Sequence, residues 1–389
     1  MADTFMGYVR EDGQVGVRNY LLMLSATLYA NTLCERVADM LVNTIPIVHP
    51  LGRCQVKPDL ALTRKVLVGH GCNPNAGGVV VVDHFKEEGC TADEIAHEIA
   101  QTGKPVEVVN IRRAGGLVAG LEQAVRAGMS ILRKISGQQR EPVPVSKLLF
   151  GMNCGTSDAT SGLSSNRALG WCSDKIIAQG GRSIMAETME MIGAEDVMMA
   201  KCATPEVARK LEEAIKGMEQ RAIDAGADIR GSQPTGDNIL GGLSSIEEKS
   251  LGAIQKAGTA TIVDVIEYAD RPGDPPGLYV MNTPGHGGES ITGIAAAGSQ
   301  LLVFSTGGGH TINHPLMITI RVSGNPISCE KMRDTTDVCV ADIFEGTSIE
   351  EAGERIYREV LDVASGKMTT AEIIKEYNAF AIYRIGPSI

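Results

Sequence analysis

Short apolar runs alternate with longer amphipathic stretches along the chain, which is the pattern of a protein built from βα units. In the first half, the runs 20–25 and 79–82 are short and continuously apolar, so they predict buried strands. The stretch 28–42 carries apolar residues at helical spacing and predicts an amphipathic helix. We therefore predict an α/β fold made of two Rossmann-like three-layer domains with mostly parallel sheets.

The second half repeats this alternation after a stretch that reads as a linker. Residues 136–145, S-G-Q-Q-R-E-P-V-P-V, are mostly polar, contain two prolines and show no periodicity. The glycine-punctuated stretch 6–19 and the polar stretch 70–75 also read as turn and loop. We predict an N-terminal α/β domain over residues 1–140 and a C-terminal α/β domain over residues 145–389, which carries the main catalytic loops.

A run of small polar residues follows the first predicted strand of the second half. After the apolar residues 148–150, the chain reads G-M-N-C-G-T-S-D-A-T-S-G-L-S-S-N before helical spacing resumes. In open α/β sheets, ligands bind at the carboxyl ends of the strands. A helix start needs only one capping side chain, whereas this stretch offers six candidates for ligand binding. They are Asn153, Cys154, Ser157, Asp158, Ser161 and Asn166.

Polar side chains also follow strands elsewhere in the chain. His49, Arg53 and Cys54 come directly after the apolar run 45–48. Glu187 follows a predicted strand in the second half, and a carboxylate there can bind a metal ion or act as a base. These positions add candidates from both halves to the predicted site.

A glycine-rich loop and a helix start supply the remaining candidates. Thr306-Gly-Gly-Gly-His310 follows the buried run 301–304, and it either cradles an oxyanion on backbone N–H groups or forms a tight turn. Lys249 lies near the start of a predicted helix, where a catalytic role and a purely structural role both remain open. No Gly-Lys-Ser/Thr follows the glycines, and no G-x-G-x-x-G opens a βα unit, so neither pattern supports a nucleotide site.

Charge and composition exclude several classes of function. The chain has 47 acidic against 36 basic residues, a net charge of −11 and no basic block, which argues against binding nucleic acid or an anionic membrane. No apolar run reaches the roughly 18 residues that span a bilayer, and the first residues do not resemble a signal peptide. We therefore expect a cytoplasmic protein. Nine cysteines without a C-x-x-C pair argue against a disulfide framework and a structural zinc site.

Several motifs together resemble one enzyme family over nearly the whole chain, from about Gly7 to Gly386. They are G-Y-V-R-E-D-G-Q-V-G-V-R-N at residues 7–19, C-G-T-S-D-A-T-S-G at 154–162 with Asn166, I-E-E-K-S-L-G at 246–252 with Lys256, E-S-I-T-G at 289–293, and F-S-T-G-G-G at 304–309 with Gly324-Asn325-Pro326. The chain is similar to the altronate and galactarate dehydratases, a group that includes the large subunit of (2R)-sulfolactate sulfo-lyase.

The resemblance implies a lyase that depends on a divalent metal ion (Fe²⁺, Mn²⁺ or Mg²⁺) and eliminates water from a sugar acid or related 2-hydroxy-carboxylate. Such chemistry needs a base for the α-proton, an acid for the leaving hydroxyl, and stabilisation of an enediolate-type intermediate. We predict three groups of residues. The catalytic group is Asp158, Glu187, and Lys249 or His310 as the base; the metal ligands are His49, Cys54, Cys154 and Glu187; the substrate-binding group is Arg53, Asn153, Ser157, Ser161, Asn166, Thr306, Gly308 and Asn325.

Three departures from the family pattern shape the expected function. The family carries a small β-rich domain ahead of the G-Y-x-R segment, so we expect a separate small β-rich subunit as partner. We also expect the chain to form a homo-oligomer. The family's T-G-R-G is Thr306-Gly-Gly-Gly309 here, which removes an arginine expected to bind carboxylate. The Q-C-G-G-S-D motif is Asn153-Cys-Gly-Thr-Ser-Asp158, and H-x-x-G-C-G is His49-Pro-Leu-Gly-Arg-Cys54. We therefore expect a substrate other than altronate or galactarate.

Two alternative functions remain open at this point. One is cleavage of a carbon–sulfur bond with release of sulfite, which belongs to the same family. The other, from a different class, is a non-catalytic subunit that binds an anion.

Overall fold

In the computed structural model, which describes residues 3–85 and 88–388, the strands form three sheets. The strands are β1 (Thr4–Val9), β2 (Val15–Gly16), β3 (Tyr20–Ser25), β4 (Thr44–Ile47), β5 (Ala76–Asp83), β6 (Val106–Asn110), β7 (Glu141–Pro144), β8 (Leu149–Gly155), β9 (Arg182–Met185), β10 (Ile262–Ile266), β11 (Gly277–Met281), β12 (Leu301–Thr306), β13 (Ile318–Ser323) and β14 (Val338–Cys339). The α/β class with parallel sheets is confirmed.

The longer helices cover the faces of the two larger sheets, and short helices lie in the connections between elements. They are α1 (Asn31–Met40), α2 (Lys57–Cys72), α3 (Ala92–Ala100), α4 (Leu117–Ile135), α5 (Ala159–Leu163), α6 (Ser165–Ala178), α7 (Glu195–Met199), α8 (Pro205–Asp224), α9 (Ile229–Ser232), α10 (Gly236–Leu240), α11 (Ile246–Ala253), α12 (Gly287–Ala296), α13 (Pro326–Lys331), α14 (Ile349–Ala364) and α15 (Thr370–Ile373). None of the helices in the described ranges is long and apolar enough to cross a membrane.

The first sheet has the strand order β4-β3-β5-β6, and all its strands are parallel. Every residue of β5 is buried, because helices cover both faces of the sheet. This explains why the strand reads as a continuous apolar run rather than as an alternation.

The second sheet has the order β10-β11-β9-β8-β12-β13-β14 and is also parallel throughout. From β8 the chain first builds one side of the sheet, through β9, and later returns to the other side at β12. The crevice at the carboxyl ends of β8 and β12 is therefore a topological switch point, where open α/β sheets bind ligands.

A third sheet lies where the sequence predicted turn and linker. The order is β2-β1-β7, with antiparallel pairing. The predicted linker 136–145 thus contains strand β7, and the predicted turn stretch 6–19 contains most of β1 and all of β2. Only Val143 of β7 is buried, and β7 is an edge strand that tolerates its two prolines, so neither a period nor an apolar run marked it.

The stretch predicted as a loop at 70–75 instead begins with the last turn of α2. Gly71 is helical and buried, and a Cβ there would come within 2.1 Å of Ile99 Cδ1. His70 Nδ1 lies 2.7 Å from the carbonyl oxygen of Val66 one turn earlier. Close packing against α3 therefore extends the helix across residues whose types suggest a turn.

The two larger sheets share a buried junction. Asn73 Nδ2 donates to the carbonyl oxygens of Ala295 and Ser299, each at 2.9 Å, and Asn75 Nδ2 donates to that of Gln300 at 2.7 Å. Between α2 and the β12–β13 loop, the Nε2 atoms of His70 and His314 lie 3.1 Å apart. These contacts fix one half against the other.

The cysteines differ from expectation at one place. Cys329 of α13 and Cys339 of β14 form a disulfide, with their Cα atoms 5.9 Å apart. The other seven cysteines form no disulfide, so the described residues contain one bridge where the sequence argued against a disulfide framework. Its partners become neighbours only when β13 and β14 pair, which the cysteine spacing does not reveal.

Candidate functional site

Backbone strain marks the carboxyl ends of strands β8 and β9. Thr156 and Glu187 have φ angles of 50° and 67°, in the left-handed region that non-glycine residues rarely adopt. The N–H of Glu187 donates to Thr283 Oγ1 at 2.7 Å, which helps to hold this conformation. The 3₁₀ turn Thr188–Met191 follows at once and carries Glu190. Strain of this kind is commonly kept at functional sites.

Four ionisable side chains meet at these strand ends in a fully buried cluster, which we call the Cys–Glu–Lys cluster. It consists of Cys154, Glu187, Glu190 and Lys256. Lys256 Nζ lies 3.0 Å from Cys154 Sγ, 3.3 Å from Glu190 Oε2 and 3.7 Å from Glu187 Oε2. Cys154 Sγ lies 3.3 Å from Glu190 Oε2.

The charges within this cluster are strongly coupled. Burial and the neighbouring Glu190 raise the pKa of Glu187 well above its usual value. Burial opposes ionisation of Glu190 as well, but Lys256 and Lys249 outweigh it and lower its pKa. Burial also raises the pKa of the Cys154 thiol. Lys256 pays a burial penalty too, yet Cys154 and the two glutamates raise its pKa overall. Burial thus favours the uncharged forms of Glu187 and Cys154, whereas the neighbouring lysines favour the charged form of Glu190.

Three of these side chains have the geometry of metal ligands. Donor atoms of Cys154, Glu187 and Glu190 all lie within 4.8 Å of one another. Glu187 Oε2 is buried without a hydrogen-bond partner, so one oxygen is available to a cation. A sulfur with two carboxylates is a donor set that suits a transition-metal ion.

A cavity of about 390 Å³ collects five of the sequence-predicted residues. Ser157, Asp158, Ser161, Asn166 and Lys249 line it. Lys249 Nζ also lies 3.9 Å from Glu190 Oε1, so this lysine connects the cavity with the Cys–Glu–Lys cluster.

Asp158 positions two loops at this cavity. Its Oδ1 accepts from the backbone N–H groups of Thr160 and Ser161, which makes it the N-cap of α5, and Oδ2 accepts from Asn325 Nδ2 at 2.7 Å. A Cβ on Gly307 would lie 2.2 Å from Asp158 Oδ1, so only glycine permits this approach. Asp158 thus ties together the loops after β8, β12 and β13.

The loop after β12 contributes the side chain of His310 rather than a set of free backbone N–H groups for an oxyanion. The N–H of Gly308 is already used, because it donates to the carbonyl oxygen of Thr156 at 3.0 Å. His310 lies beside Gly155, and its Nδ1 accepts from the N–H of Ile312 at 2.9 Å. The neutral ring therefore carries its proton on Nε2.

Unpartnered polar atoms concentrate in this region. Asn153 Oδ1, Asn166 Oδ1 and Thr306 Oγ1 are buried without a hydrogen-bond partner. The amide nitrogens are used elsewhere: Asn153 Nδ2 donates to Ser290 Oγ and Asn166 Nδ2 to the carbonyl oxygen of Gly252. Buried polar atoms without partners are rare in folded proteins, and they are expected where a ligand supplies the missing partner.

The remaining predicted residues lie at the carboxyl end of the first sheet. Both ring nitrogens of His49 are hydrogen-bonded, Nε2 to the carbonyl oxygen of Ser25 at 2.8 Å and Nδ1 to the N–H of Leu51 at 3.1 Å. Cys54 is exposed, with φ at 55°, and the Arg53 guanidinium stacks 4.6 Å from the centre of the Phe85 ring. The structure thus divides the predicted ligand set, with Cys154 and Glu187 together and His49 and Cys54 elsewhere.

Two members of the cluster, Glu190 and Lys256, were not among the predicted site residues. Glu190 stands three residues after Glu187, a spacing that aligns side chains in a 3₁₀ turn. Lys256 stands between the apolar residues Ile254 and Ala257, where a lysine has no reason to be buried unless it has acidic partners. Both features can be read from the sequence, but only the fold shows that the two side chains lie next to each other.

Comparison with known proteins gives matches over nearly the whole chain. Residues 145–388 match the family model described as D-galactarate/Altronate dehydratase, C-terminal, and residues 7–136 match D-galactarate dehydratase/Altronate hydrolase, second domain. The chain is 36% identical to (2R)-sulfolactate sulfo-lyase subunit beta of Chromohalobacter salexigens, with 95% of each chain covered. It is 31% identical to altronate dehydratase of Bacillus subtilis and 28% identical to that of Escherichia coli, with 99% and 98% of this chain and 78% of each relative covered.

Proposed function

Because the chain belongs to the galactarate/altronate dehydratase family, we propose that it is a metal-dependent lyase acting on a sugar acid or related 2-hydroxy-carboxylate. The observation that carries this proposal is the buried donor set of Cys154, Glu187 and Glu190 beside a cavity lined by polar residues. The relatives, dehydratases and a sulfo-lyase, support the reaction class.

The donor set fits a divalent transition-metal ion. A thiolate is a soft ligand that Mg²⁺ disfavours, so we propose Fe²⁺ or, second, Mn²⁺. Cys154, Glu187 and Glu190 would hold it, and the unpartnered Glu187 Oε2 supports this assignment. When bound, such an ion supplies Lewis-acid stabilisation of negative charge on an enediolate-type intermediate.

The chain's own residues remove the proton and stabilise the leaving group. Lys249 both lines the cavity and approaches Glu190, so we assign its amine, in the uncharged form, the removal of the proton α to the carboxylate. His310 presents an N–H group at Nε2 and would stabilise the leaving group as a hydrogen-bond donor. Asp158 acts by positioning the loops.

The substrate is held by acceptors that lack donors. Asn153 Oδ1 and Asn166 Oδ1 would accept from substrate hydroxyl groups, and Thr306 Oγ1 would bond to a further oxygen. Ser157 and Ser161, on the cavity wall, complete the polar lining. Acceptors of this kind favour a polyhydroxy acid over an apolar one.

Release of sulfite is the second candidate reaction. It is favoured by the 36% identity with the sulfo-lyase subunit, which extends over 95% of both chains. Both reactions begin with loss of the proton on C2 and differ in the group that leaves C3, hydroxide or sulfite. Because that relative is named a subunit, we also propose a separate small β-rich partner. We further propose two Rossmann-like domains over 1–140 and 145–389 in a cytoplasmic homo-oligomer.

The test is a substrate panel combined with metal analysis. We would measure 2-oxo acid formation and sulfite release from altronate, galactarate, other 2,3-dihydroxy acids and sulfolactate. The chain is assayed alone and with a candidate small subunit. Elemental analysis and treatment with a chelator report metal dependence. We expect stoichiometric transition metal and activity that the chelator removes and Fe²⁺ restores. Full activity without any metal would overturn the proposal.

A further inference from the structure

Lys256 occupies the centre of the group that is proposed to bind a metal ion. Its side chain is completely buried, with 0% exposure. Its ammonium lies within 3.7 Å of the sulfur and of one carboxylate oxygen from each glutamate. These are the same three residues whose donor atoms lie within 4.8 Å of one another. One cationic group thus already stands among the three metal donors.

The buried ammonium of Lys256 supplies a positive charge beside the two glutamates. An unpaired charge in the interior is very unfavourable, and ionisation of both glutamates without a cation nearby would add repulsion between them. Lys256 neutralises Glu190 directly and approaches Glu187 as well. Its backbone is held in the 3₁₀ turn Ile254–Ala257, and Gly258 after it packs so closely on α6 that a Cβ on Gly170 would lie 2.8 Å from Gly258 N.

We propose that Lys256 is the internal counter-ion of the metal-free site, and that a divalent ion competes with its ammonium for Cys154, Glu187 and Glu190. This inference rests on the proposed function, because it takes these three residues as the metal ligands. A divalent ion and an ammonium repel each other within such a short distance, so binding of the ion requires the ammonium to leave the donors.

The competition has two measurable consequences. The ammonium lowers the affinity for the metal ion, because its contacts with the donors must be broken. It also stabilises the fold of the metal-free protein, because the ammonium lies beside the donors when no metal ion is bound. Removal of the ammonium therefore strengthens metal binding and, at the same time, makes folding depend on the metal ion.

The experiment compares wild type with Lys256→Met, using the full chain stripped of metal with a chelator. Co²⁺ is titrated and followed by the thiolate-to-cobalt charge-transfer absorption, which reports a Cys154 ligand, and Cys154→Ser shows which absorption belongs to that residue. Thermal unfolding is measured with and without Co²⁺. Lys104→Met is the matched control, because Lys104 is also buried but its side-chain nitrogen donates to backbone carbonyl oxygens, those of Gly71 and Asn73, rather than to carboxylates.

We expect Lys256→Met to bind Co²⁺ at least about tenfold more tightly than wild type, because a positive charge beside the ion is gone. We expect it to unfold at lower temperature without metal and to regain most of the loss with Co²⁺. Lys104→Met should be destabilised to the same extent with and without Co²⁺. If Lys256→Met does not accumulate, Lys256→Gln is used, and failure of both to fold even with Co²⁺ would overturn the inference.

Two other results separate this inference from the proposed function. Equal or weaker Co²⁺ binding in Lys256→Met, with a normal charge-transfer absorption in wild type, overturns the competition and leaves the metal centre standing. Absence of that absorption in both wild type and variant overturns the metal centre, and with it the role of Lys256.

Discussion

The carboxyl ends of the two parallel sheets carry similar side chains and use them differently. In the first sheet, both ring nitrogens of His49 are hydrogen-bonded, and Asp83 accepts from the N–H of Ala92 and from Asn110. In the second sheet, Glu187 is buried, and its Oε2 has no hydrogen-bond partner although the Lys256 ammonium lies 3.7 Å away. Thr27 is an exception in the first sheet, since its hydroxyl also lacks a partner, but it carries no charge.

This contrast shows that a polar residue after a strand is weak evidence for function by itself. A cavity is no better evidence, because a larger one of about 730 Å³ lies at the end of the first sheet. Two of its charged residues, Asp93 and Arg113, neutralise each other in an ion pair of 3.0 Å. The second sheet differs because Lys256 and Glu190 are buried together beside a polar cavity, an arrangement that is typical of functional sites.

The sharpest test of this comparison is the thiol of Cys154. Cys154→Ser replaces a soft sulfur donor by a hydroxyl, so we expect loss of bound metal and a fall in kcat/KM of at least about a hundredfold. The matched control is Cys172→Ser, a buried free cysteine on α6. Metal analysis and steady-state kinetics measure the effect. Equal losses in the two variants would mean that the effect comes from packing.

A second test separates the positioning role of Asp158 from ordinary helix capping. Asp158→Ala removes an N-cap and the bond to Asn325, so we expect the free energy of unfolding to fall by about 1–2 kcal/mol. We expect kcat to fall at least about tenfold, because three loops at the cavity lose their common anchor.

The control for this variant is Ser348→Ala, which removes the N-cap of α14. Ser348 and Glu351 form a capping box away from the candidate site. Urea unfolding should show a comparable loss of stability, and kinetics should show wild-type turnover. If both variants lose turnover in proportion to stability, Asp158 has no special role at the cavity.

The sequence predicted the elements better than the contacts between them. Strands such as β5 and helices such as α1 were evident, because burial on both faces or amphipathic spacing leaves a local signature. Strand β7 could not be predicted, since an edge strand with one buried residue has no such local signature.

The candidate site was predicted only in part for the same physical reason. Cys154 is the second-last residue of β8 and Glu187 comes two residues after β9, so both could be recognised from local order. Lys256 reaches them from a sequence separation of 102 residues to Cys154, through a 3₁₀ turn that becomes a neighbour only in the folded sheet. His49 also follows a strand, so the sequence predicts it as a metal ligand together with them. In the structure, both of its ring nitrogens are hydrogen-bonded at the end of the first sheet.

The junction between the two regions provides a third test, through pH. His70 Nδ1 donates to the carbonyl oxygen of Val66, and His314 Nδ1 accepts from the N–H groups of Leu316 and Met317. In this arrangement His314 Nε2–H donates to His70 Nε2, so both rings are neutral. Burial lowers the pKa of His70 to about 4 and that of His314 well below its usual value.

The sign of the pH effect follows from proton binding. Unfolded histidines bind protons near pH 6.5. Below that pH the unfolded chain therefore binds more protons than the folded one, down to the folded pKa. The free energy of unfolding then falls with decreasing pH, by up to about 1.4 kcal/mol per pH unit for each histidine. We expect His314→Gln to flatten this slope between pH 6 and 4.5 in urea unfolding, and the exposed His97→Gln to leave it unchanged. Identical slopes in all three proteins would contradict the argument.

The smallest expected effect comes from the first sheet itself and tests the other side of the comparison. The Arg53 side chain stacks on Phe85 near the exposed Cys54, where a cation–π contact contributes only about 0.5–1 kcal/mol. If the chemistry belongs to the second sheet, Arg53→Met should change kcat/KM by less than about threefold, because this corresponds to well under 1 kcal/mol of lost interaction. Arg112→Met replaces an arginine that also lies near Phe85 and is the matched variant for steady-state kinetics.

A rise in KM of about thirtyfold with Arg53→Met alone would show that this arginine binds the substrate. The carboxyl ends of both sheets would then belong to one active site, as the sequence first indicated.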